Sequence, residues 1–369
     1  MSIAAGLVGL PNVGKSTLFN ALTNSSVPAE NYPFCTIDPH LACTFVPDER
    51  IEKLLKIYNS KKTIPASVQF VDIAGLVQGA ASGEGLGNQF LSHIRAVDLI
   101  LHVVRCFDDP LISYSRNEID PLFDLEIITT ELMLKDIESV EKRSIKVAQL
   151  LKSSKNNPAQ TKELEQEAQV LEQIKAALNG SLVEQVRKLV AEYKLTSIDL
   201  LSAKKFIIIA NIAESEIAHN AYLNNPYFKK LSEKFGSRVI PVCARLEYEL
   251  SQLTPSEAQE MAGMMGLEKS GLQEIIASTY KHLGLITFFT CGPQEIHAWP
   301  IKAGMTVRQA AGEIHSDLEK GFICADVFNC ADLFNLGTET KVKEAGKMRI
   351  EGQDYIVKDG DIINVKFNV

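Results

Sequence analysis

Gly9 and Gly14 are separated by four residues, and Lys15 and Ser16 follow at once, so that residues 9–16 read GLPNVGKS. This is the G-x-x-x-x-G-K-S spacing of a phosphate-binding loop. The glycines allow a tight turn whose backbone N–H groups converge on a β-phosphate, and the start of a helix adds partial positive charge at the same place. Lys15 can then reach the β- and γ-phosphates, and the Ser16 hydroxyl can bind Mg2+. A glycine-rich turn carrying a solvated lysine is the bland alternative. The flanks speak against it, because IAAGLVG reads as a buried strand and TLFNAL has helical spacing.

A nucleotide site needs further parts in order. The segment SVQFVDIAGL predicts a strand ending at Asp72, with Gly75 three residues on. Asp72 can hold a water of a Mg2+ shell, and the Gly75 N–H can come close to a γ-phosphate because no side chain intervenes. Between the two motifs, Thr36 lies in the proline-bracketed NYPFCTIDP. Its hydroxyl could complete the metal shell only with a γ-phosphate present, which would make that loop a switch; a threonine in a surface turn is the other reading. The glycine-rich run from Val77 to Asn88 does not fit G-x-G-x-x-G and reads as a second switch.

Leu76 occupies the place where a Ras-like enzyme carries the glutamine that orients the attacking water. That water must be positioned by another loop, by a partner, or by a monovalent cation near Asn12, or else hydrolysis is slow. His93 and His102 are the nearby histidines; helical spacing gives the first, and an apolar strand the second, a structural role.

Base recognition falls on FIIIANIAES at 206–215. Asn-Lys-x-Asp grips guanine because its carboxylate accepts from N1–H and the exocyclic amine, and here Ile212 and Glu214 replace the lysine and the aspartate. A group left unpaired in such a pocket costs about 1–3 kcal/mol, enough to turn the preference to adenine. A rotamer change of Glu214 keeps a guanine site open. Asn211 and the backbone around Ile212 are expected at the purine edge, and the loop Cys243-Ala244-Arg245 along the base.

These parts must be carried by a chain of 369 residues, 46% hydrophobic and 23% charged, with net charge −8. Such a length implies two or three units, and the acidic balance argues against generic nucleic-acid affinity. No stretch approaches a membrane span, the seven cysteines show no C-x-x-C spacing, and the N-terminus has no basic leader, all of which points to the cytoplasm. From 122 to 198 long helices are expected. Leu125, Ile128, Leu132, Ile137, Val140 and Val147 form one stripe, and Leu164, Ala168, Leu171, Ile174 and Leu178 another, with the joint at KSSKNNPAQ. Ser181 and Glu184 predict a capping box for a third helix. This arm is a lever or docking surface, or simply a stabilising arm. Past 285, ITFFTC, HAWPI and a helix from Thr306 predict strands around one helix, closing in a DYIV–KDGD–IINVKF hairpin. The chain stops at Asn368-Val369 and not at the Gly-Gly of a carrier, so RNA or ribosome binding is preferred, with Lys341, Lys343, Lys347 and Arg349 as phosphate contacts or as a solvated loop.

With GLPNVGKST, NYPFCTIDP, VDIAGLVQGAASGEGLGNQF, HVVRCF, NIAE and DYIVKDGDIINVKFNV in order over nearly its whole length, the chain resembles the YchF or Obg-like ATPase family. The resemblance implies an α/β P-loop NTPase of the Obg type, with a mixed sheet flanked by helices (1–121 and 199–284), an inserted helical hairpin arm (122–198) and a C-terminal β-grasp, or TGS, domain (285–369). A cytoplasmic switch that binds no DNA and no membrane is expected, taken as a monomer. With Mg2+ and potassium this switch would bind and slowly hydrolyse ATP and associate with the large ribosomal subunit, regulating translation or a stress response. A GTP-preferring translation factor and a nucleotide-gated scaffold without turnover are the rivals. By motif, nucleotide contacts fall on Asn12, Val13, Gly14, Lys15, Ser16, Thr17, Asn211 and Ile212, magnesium on Ser16 and Thr36, potassium on Asn12, and the glutamine's replacement on Leu76. One departure is Tyr114 near the place of the family's histidine, since a phenol is a poor base near neutrality and turnover is expected to be very slow.

Overall fold

The computed structural model describes residues 3–25, 40–73, 86–110, 112, 118–153, 157–267 and 269–368. They fall into two units, the first comprising 3–24, 40–41 and 70–271, the second 25, 42–69 and 272–368. In chain order the elements begin with β1 (Ala4–Val8), α1 (Lys15–Asn24), β2 (Leu41–Phe45), α2 (Glu49–Tyr58), β3 (Lys62–Ile64) and β4 (Ser67–Asp72). Next come α3 (Leu86–Ala96) and β5 (Leu99–Arg105), then three helices α4 (Pro121–Ser153), α5 (Pro158–Asn179) and α6 (Val183–Glu192). The first unit closes with β6 (Lys205–Asn211), α7 (Glu214–Ile217), α8 (Pro226–Phe235), β7 (Val239–Val242), α9 (Ala244–Leu250) and α10 (Pro255–Met264). The remainder is α11 (Gly271–Leu283), β8 (Leu285–Cys291), β9 (Glu295–Lys302), α12 (Val307–Ile314), α13 (Ser316–Lys320), β10 (Phe322–Asn329), α14 (Cys330–Leu336), α15 (Glu339–Glu344), β11 (Arg349–Glu351) and β12 (Asp361–Phe367).

In the first unit the strands run β4-β1-β5-β6-β7, with β2 beside β4. β1, β5, β6 and β7 are parallel, and every residue of β1 and β5 is buried, as expected of strands covered on both faces. The registers Arg105↔Asn211 and Asn211↔Val242 bring the carboxyl ends of β5, β6 and β7 to one level. Loops leaving those ends share one edge of the sheet, where open α/β sheets bind their ligands.

The helical insertion lies between two strands that pair directly, β5 and β6. Its core is the pair of stripes anticipated from the sequence: Val140 and Val147 of α4 pack with Leu164, Leu171, Ile174 and Leu178 of α5, and with Val186 of α6. Arg143 and Glu167 close the hairpin with a two-pronged ion pair at 2.7 and 2.9 Å. The expected capping box does not form. Ser181 takes a left-handed conformation (φ 57°), Leu182 becomes the N-cap without a side-chain bond, and Glu184 turns to Arg187 at 2.7 Å.

The second unit has its own sheet, β11-β10-β12-β8-β9-β3. Strands wrap α12, whose Val307 and Ala310 meet Phe288, Ile301, Val327 and Ile363. Two sequence expectations change here. Residues 42–69 were grouped with the nucleotide-binding half; β2 and β4 do join the sheet of β1, whereas α2 and β3 attach to this unit, β3 pairing in parallel with β9 and Arg50 on α2 bonding Asp359 at 2.7 Å. The closing hairpin is absent as well. Ile356 bridges Thr306, Gly360 donates to the Thr287 carbonyl, and β12 pairs with β10 and β8 instead. An Asp-Gly turn specifies a hairpin only when its polar groups are left to the two arms; here Thr287 N donates to Asp359 and Lys358 N to Asp361, which draws the chain into the sheet.

His102 shows one consequence of the first unit's packing. It is buried in β5 edge-on to Phe206 at 5.8 Å, and burial, with the nearby Arg187 charge adding to it, pushes its pKa down to about 4. Because the unfolded value is near 6.5, this group's contribution is fully present above that pH and is lost as pH falls toward 4. Between pH 7 and pH 5 the loss amounts to about 2 kcal/mol. Urea midpoints of the native protein should fall over that interval more steeply than those of a His102→Leu variant; parallel profiles would refute the assignment.

Candidate nucleotide site

After β1 the chain turns through Gly9–Gly14 into α1. Asn12 and Gly14 both take left-handed backbone (φ 64° and 95°), the first exposed, and Leu18 N donates to the Gly14 carbonyl to start the helix. Val13 is 1% exposed and so pins the loop to the core, whereas Ser16 is exposed and Thr17 half-buried at the helix start. Gly9 is required by close approach, because a Cβ there would lie 2.7 Å from the Val103 carbonyl of β5.

Lys15 forms an ion pair with Asp72 at the end of β4. The cation proposed for phosphates and the carboxylate proposed for a metal-bound water are thus brought together by α1 and β4. Magnesium fits this donor set, which offers the Ser16 hydroxyl and the Asp72 carboxylate, hard oxygens suited to a small cation that keeps water and phosphate in its shell. Among the described residues no group of three or more His, Cys, Asp or Glu could hold a metal ion by itself, as that mode of binding requires. Thr36, Gly75, Leu76 and Tyr114 lie outside the described residues.

Asn211 sits at the end of β6, 6% exposed. Its Nδ2 donates to the Val13 carbonyl at 2.8 Å, and its Oδ1 accepts from Ala244 N at 3.0 Å. One amide therefore ties the phosphate loop to the first residue of α9, and both of its polar groups are committed to backbone. Ile212, 1% exposed, buries its side chain and donates its N–H to the Val242 carbonyl, so only its main chain is left to approach a base. Glu214 is exposed as the first residue of α7, and its charge raises the pKa of Arg245, after the larger effect of Glu249. The structure thus separates residues that the sequence joined: Val13, Asn211 and Ala244 interlock, while Glu214 stands outside that lock.

Sequence reasoning passed over Arg105. It is 2% exposed at the end of β5, and its guanidinium donates to the carbonyls of Phe107 (3.1 Å), Asp109 (3.0 Å) and Ile112 (3.1 Å) and lies 4.7 Å from the Phe107 ring. This side chain ties down the loop leaving β5. An arginine inside an otherwise apolar strand was the available signal, since such a charge is buried only with partners. His93, on α3, keeps a buried Nδ1 without a hydrogen-bond partner among the described residues.

Residues 4–149 match the family described as 50S ribosome-binding GTPase, and residues 285–368 match the YchF-GTPase C-terminal family, described as a protein of unknown function. The "Ribosome-binding ATPase YchF" of Bacillus subtilis (strain 168) is 44% identical over 371 residues, covering 100% of both chains, and that of Mycoplasma genitalium 43% over 373. The solved structure of the Schizosaccharomyces pombe YchF GTPase, 38% identical, covers 99% of this chain and 98% of its own with a TM-score of 0.85.

Proposed function

The chain belongs to the YchF family, and from that membership we propose that it is a Mg2+-dependent ATP-binding switch that hydrolyses its nucleotide slowly and associates with the ribosome. The relatives' names divide on the nucleotide, ATPase for the bacterial proteins and GTPase for the fission-yeast structure. The observation that carries the adenine reading is the fate of the two replaced positions. Ile212 is sealed in the core and Glu214 is exposed within the field of Arg245, so neither a lysine stem nor a committed carboxylate frames a guanine. Guanine would then leave N1–H and its amine short of acceptors, at about 1–3 kcal/mol each.

Chemically, Lys15 neutralises phosphate charge, the backbone N–H groups of Gly14 and α1 hold oxygens, and Ser16 and Asp72 hold Mg2+, which when bound offsets charge on the β- and γ-oxygens. Asn12 is the place for potassium. Slow turnover follows from Leu76, which cannot orient water, and from Tyr114. The second unit, read as a TGS domain, and the arm α4–α6 are the surfaces offered to the large ribosomal subunit in a cytoplasmic monomer, with Lys341 and Lys343 exposed on α15. No helix among the described residues is long and apolar enough to cross a membrane.

Competition of ATP and GTP for one labelled nucleotide tests this directly, and tighter GTP binding would overturn it. A double variant, Ile212→Lys with Glu214→Asp, should move the ATP:GTP affinity ratio toward GTP by about tenfold, or about 1.4 kcal/mol. Phosphate release with and without potassium separates a slow enzyme from a scaffold.

A further inference from the structure

The first unit also contains a crevice of about 780 Å³ that shares no lining residue with the phosphate loop or with the Asn211 lock. It lies between α4, the start of α6, the end of α8 and strands β5 and β6. Leu125, Met133, Phe206 and Phe235 give it apolar walls. Its volume falls within the roughly 300–1,000 Å³ of small-molecule sites.

Charge in this crevice is out of balance. The guanidiniums of Arg187 and Arg238 lie 4.5 and 4.6 Å from the same Phe206 ring centroid, and Lys234 is a third lining cation. Glu184 contacts Arg187 at 2.7 Å and Arg238 at 3.9 Å, and Glu126 contacts Lys234 at 3.9 Å. Three cations thus meet two carboxylates, and both carboxylates are largely exposed, where pairing is screened. Two buried nitrogens lining the crevice, Nε of Arg187 and Nδ1 of His102, have no hydrogen-bond partner among the described residues. His102 is 5% exposed, and at neutral pH its uncharged ring offers one donor and one acceptor. The first turn of α6 lines the same space, and its N-cap, Leu182, supplies no side-chain bond, so the partial positive charge of the helix start is not capped by a side chain there.

We infer that this crevice is a second ligand site, for a small organic anion whose phosphate or carboxylate head is held by Arg187, Arg238 and the start of α6 and whose apolar or aromatic body lies against Leu125, Met133 and Phe206. Arg238 offers parallel N–H donors to either head group, and Arg187, whose terminal nitrogens already donate to Glu184 and to the Ser202 carbonyl, adds its unpartnered Nε–H. The head takes up the surplus positive charge, and a polar atom of the ligand meets the ring nitrogen of His102. Buried polar groups left without partners are rare in native proteins and each calls for an occupant or a task.

The test uses the full chain with its phosphate loop saturated by Mg-ADP, so that anions cannot be counted there. Phenyl phosphate and benzoate are titrated separately while the His102 imidazole signal is followed by NMR, with inorganic phosphate and benzyl alcohol as head-only and body-only controls. At least one of the two anions should shift the signal saturably, and which one does so distinguishes a phosphate from a carboxylate ligand. The controls should be weaker by about tenfold. Arg187→Gln should weaken the responding anion by about tenfold and leave ADP affinity unchanged. Arg238→Gln, at a more exposed position, makes the same test if the first variant fails to fold. Absence of a saturable shift with both anions, equal binding of the controls, or undiminished binding by the folded variant would overturn the inference.

Discussion

Replacing Asn211 by alanine is expected to weaken ATP binding about a hundredfold while the protein remains folded, a loss of about 2.7 kcal/mol. The amide bridges two segments far apart in sequence, Val13 in the phosphate loop and Ala244 at the start of α9, and all three residues are at most 6% exposed. Truncation leaves a carbonyl and an N–H buried without partners, each costing about 1–3 kcal/mol. The loop can relax to rehydrate them, so part of that cost is withdrawn from stability and reappears as the work of re-forming the loop around phosphates. Asn211→Asp should be no better, because a carboxylate oxygen would face the Val13 carbonyl. Gly14→Ala attacks the same lock from the other side: a Cβ there would lie 2.2 Å from Asn211 Nδ2, at a φ of 95° that disfavours any side chain. Calorimetric titration of ATP into each variant checks the expectation, and an Asn211→Ala affinity within about threefold of the native value would defeat it.

The case of Asn211 also shows what the sequence could and could not disclose. Its position at a strand end was legible, as were Gly9, Gly14, Lys15 and the stripes of α4 and α5, because each depends on backbone constraints or periodicity within a few turns of chain. Its partners were not, since residues 13, 211 and 244 meet only once the parallel register of β1, β5, β6 and β7 is set. A base contact was expected from this side chain, and the fold also uses it as a clamp. Local signals failed where a distant group outbid them. Ser181 looked like a cap but turns left-handed, and Asp359 and Asp361 looked like hairpin residues but serve Thr287 and Lys358. The attachment of α2 and β3 was hidden for the same reason, because only β9 and Asp359 in the fold reveal what β3 and Arg50 pair with.

Asp136→Ala should be the most destabilising change in the first unit, at about 3–5 kcal/mol. Asp136 is 0% exposed on α4, and its carboxylate accepts from Leu201 N and Ser202 N, both at 2.8 Å, and from the Ser202 hydroxyl at 2.6 Å. These bonds anchor the helical insertion to the residues that lead into β6. Burial nevertheless outweighs them in setting its proton affinity and raises the pKa above the usual carboxylate value, with Asp199 adding to it. Ionisation is thus not what makes the residue valuable; three donors aimed at it are, and alanine would strand all of them. The sign of the pH effect follows. A raised folded pKa gives a contribution that is complete below the unfolded value of about 3.9 and is lost as pH rises through the folded one. Asp136→Asn does not titrate, so the stability gap between native protein and this variant should be widest near pH 4 and narrow toward pH 7. It should not close, because the asparagine NH2 turns a donor toward a donor. Urea midpoints over that range, with hydrogen exchange of β6 amides as the local probe, decide the matter: a gap that widens with pH, or an alanine variant losing under about 1 kcal/mol, would show that the anchor lies elsewhere.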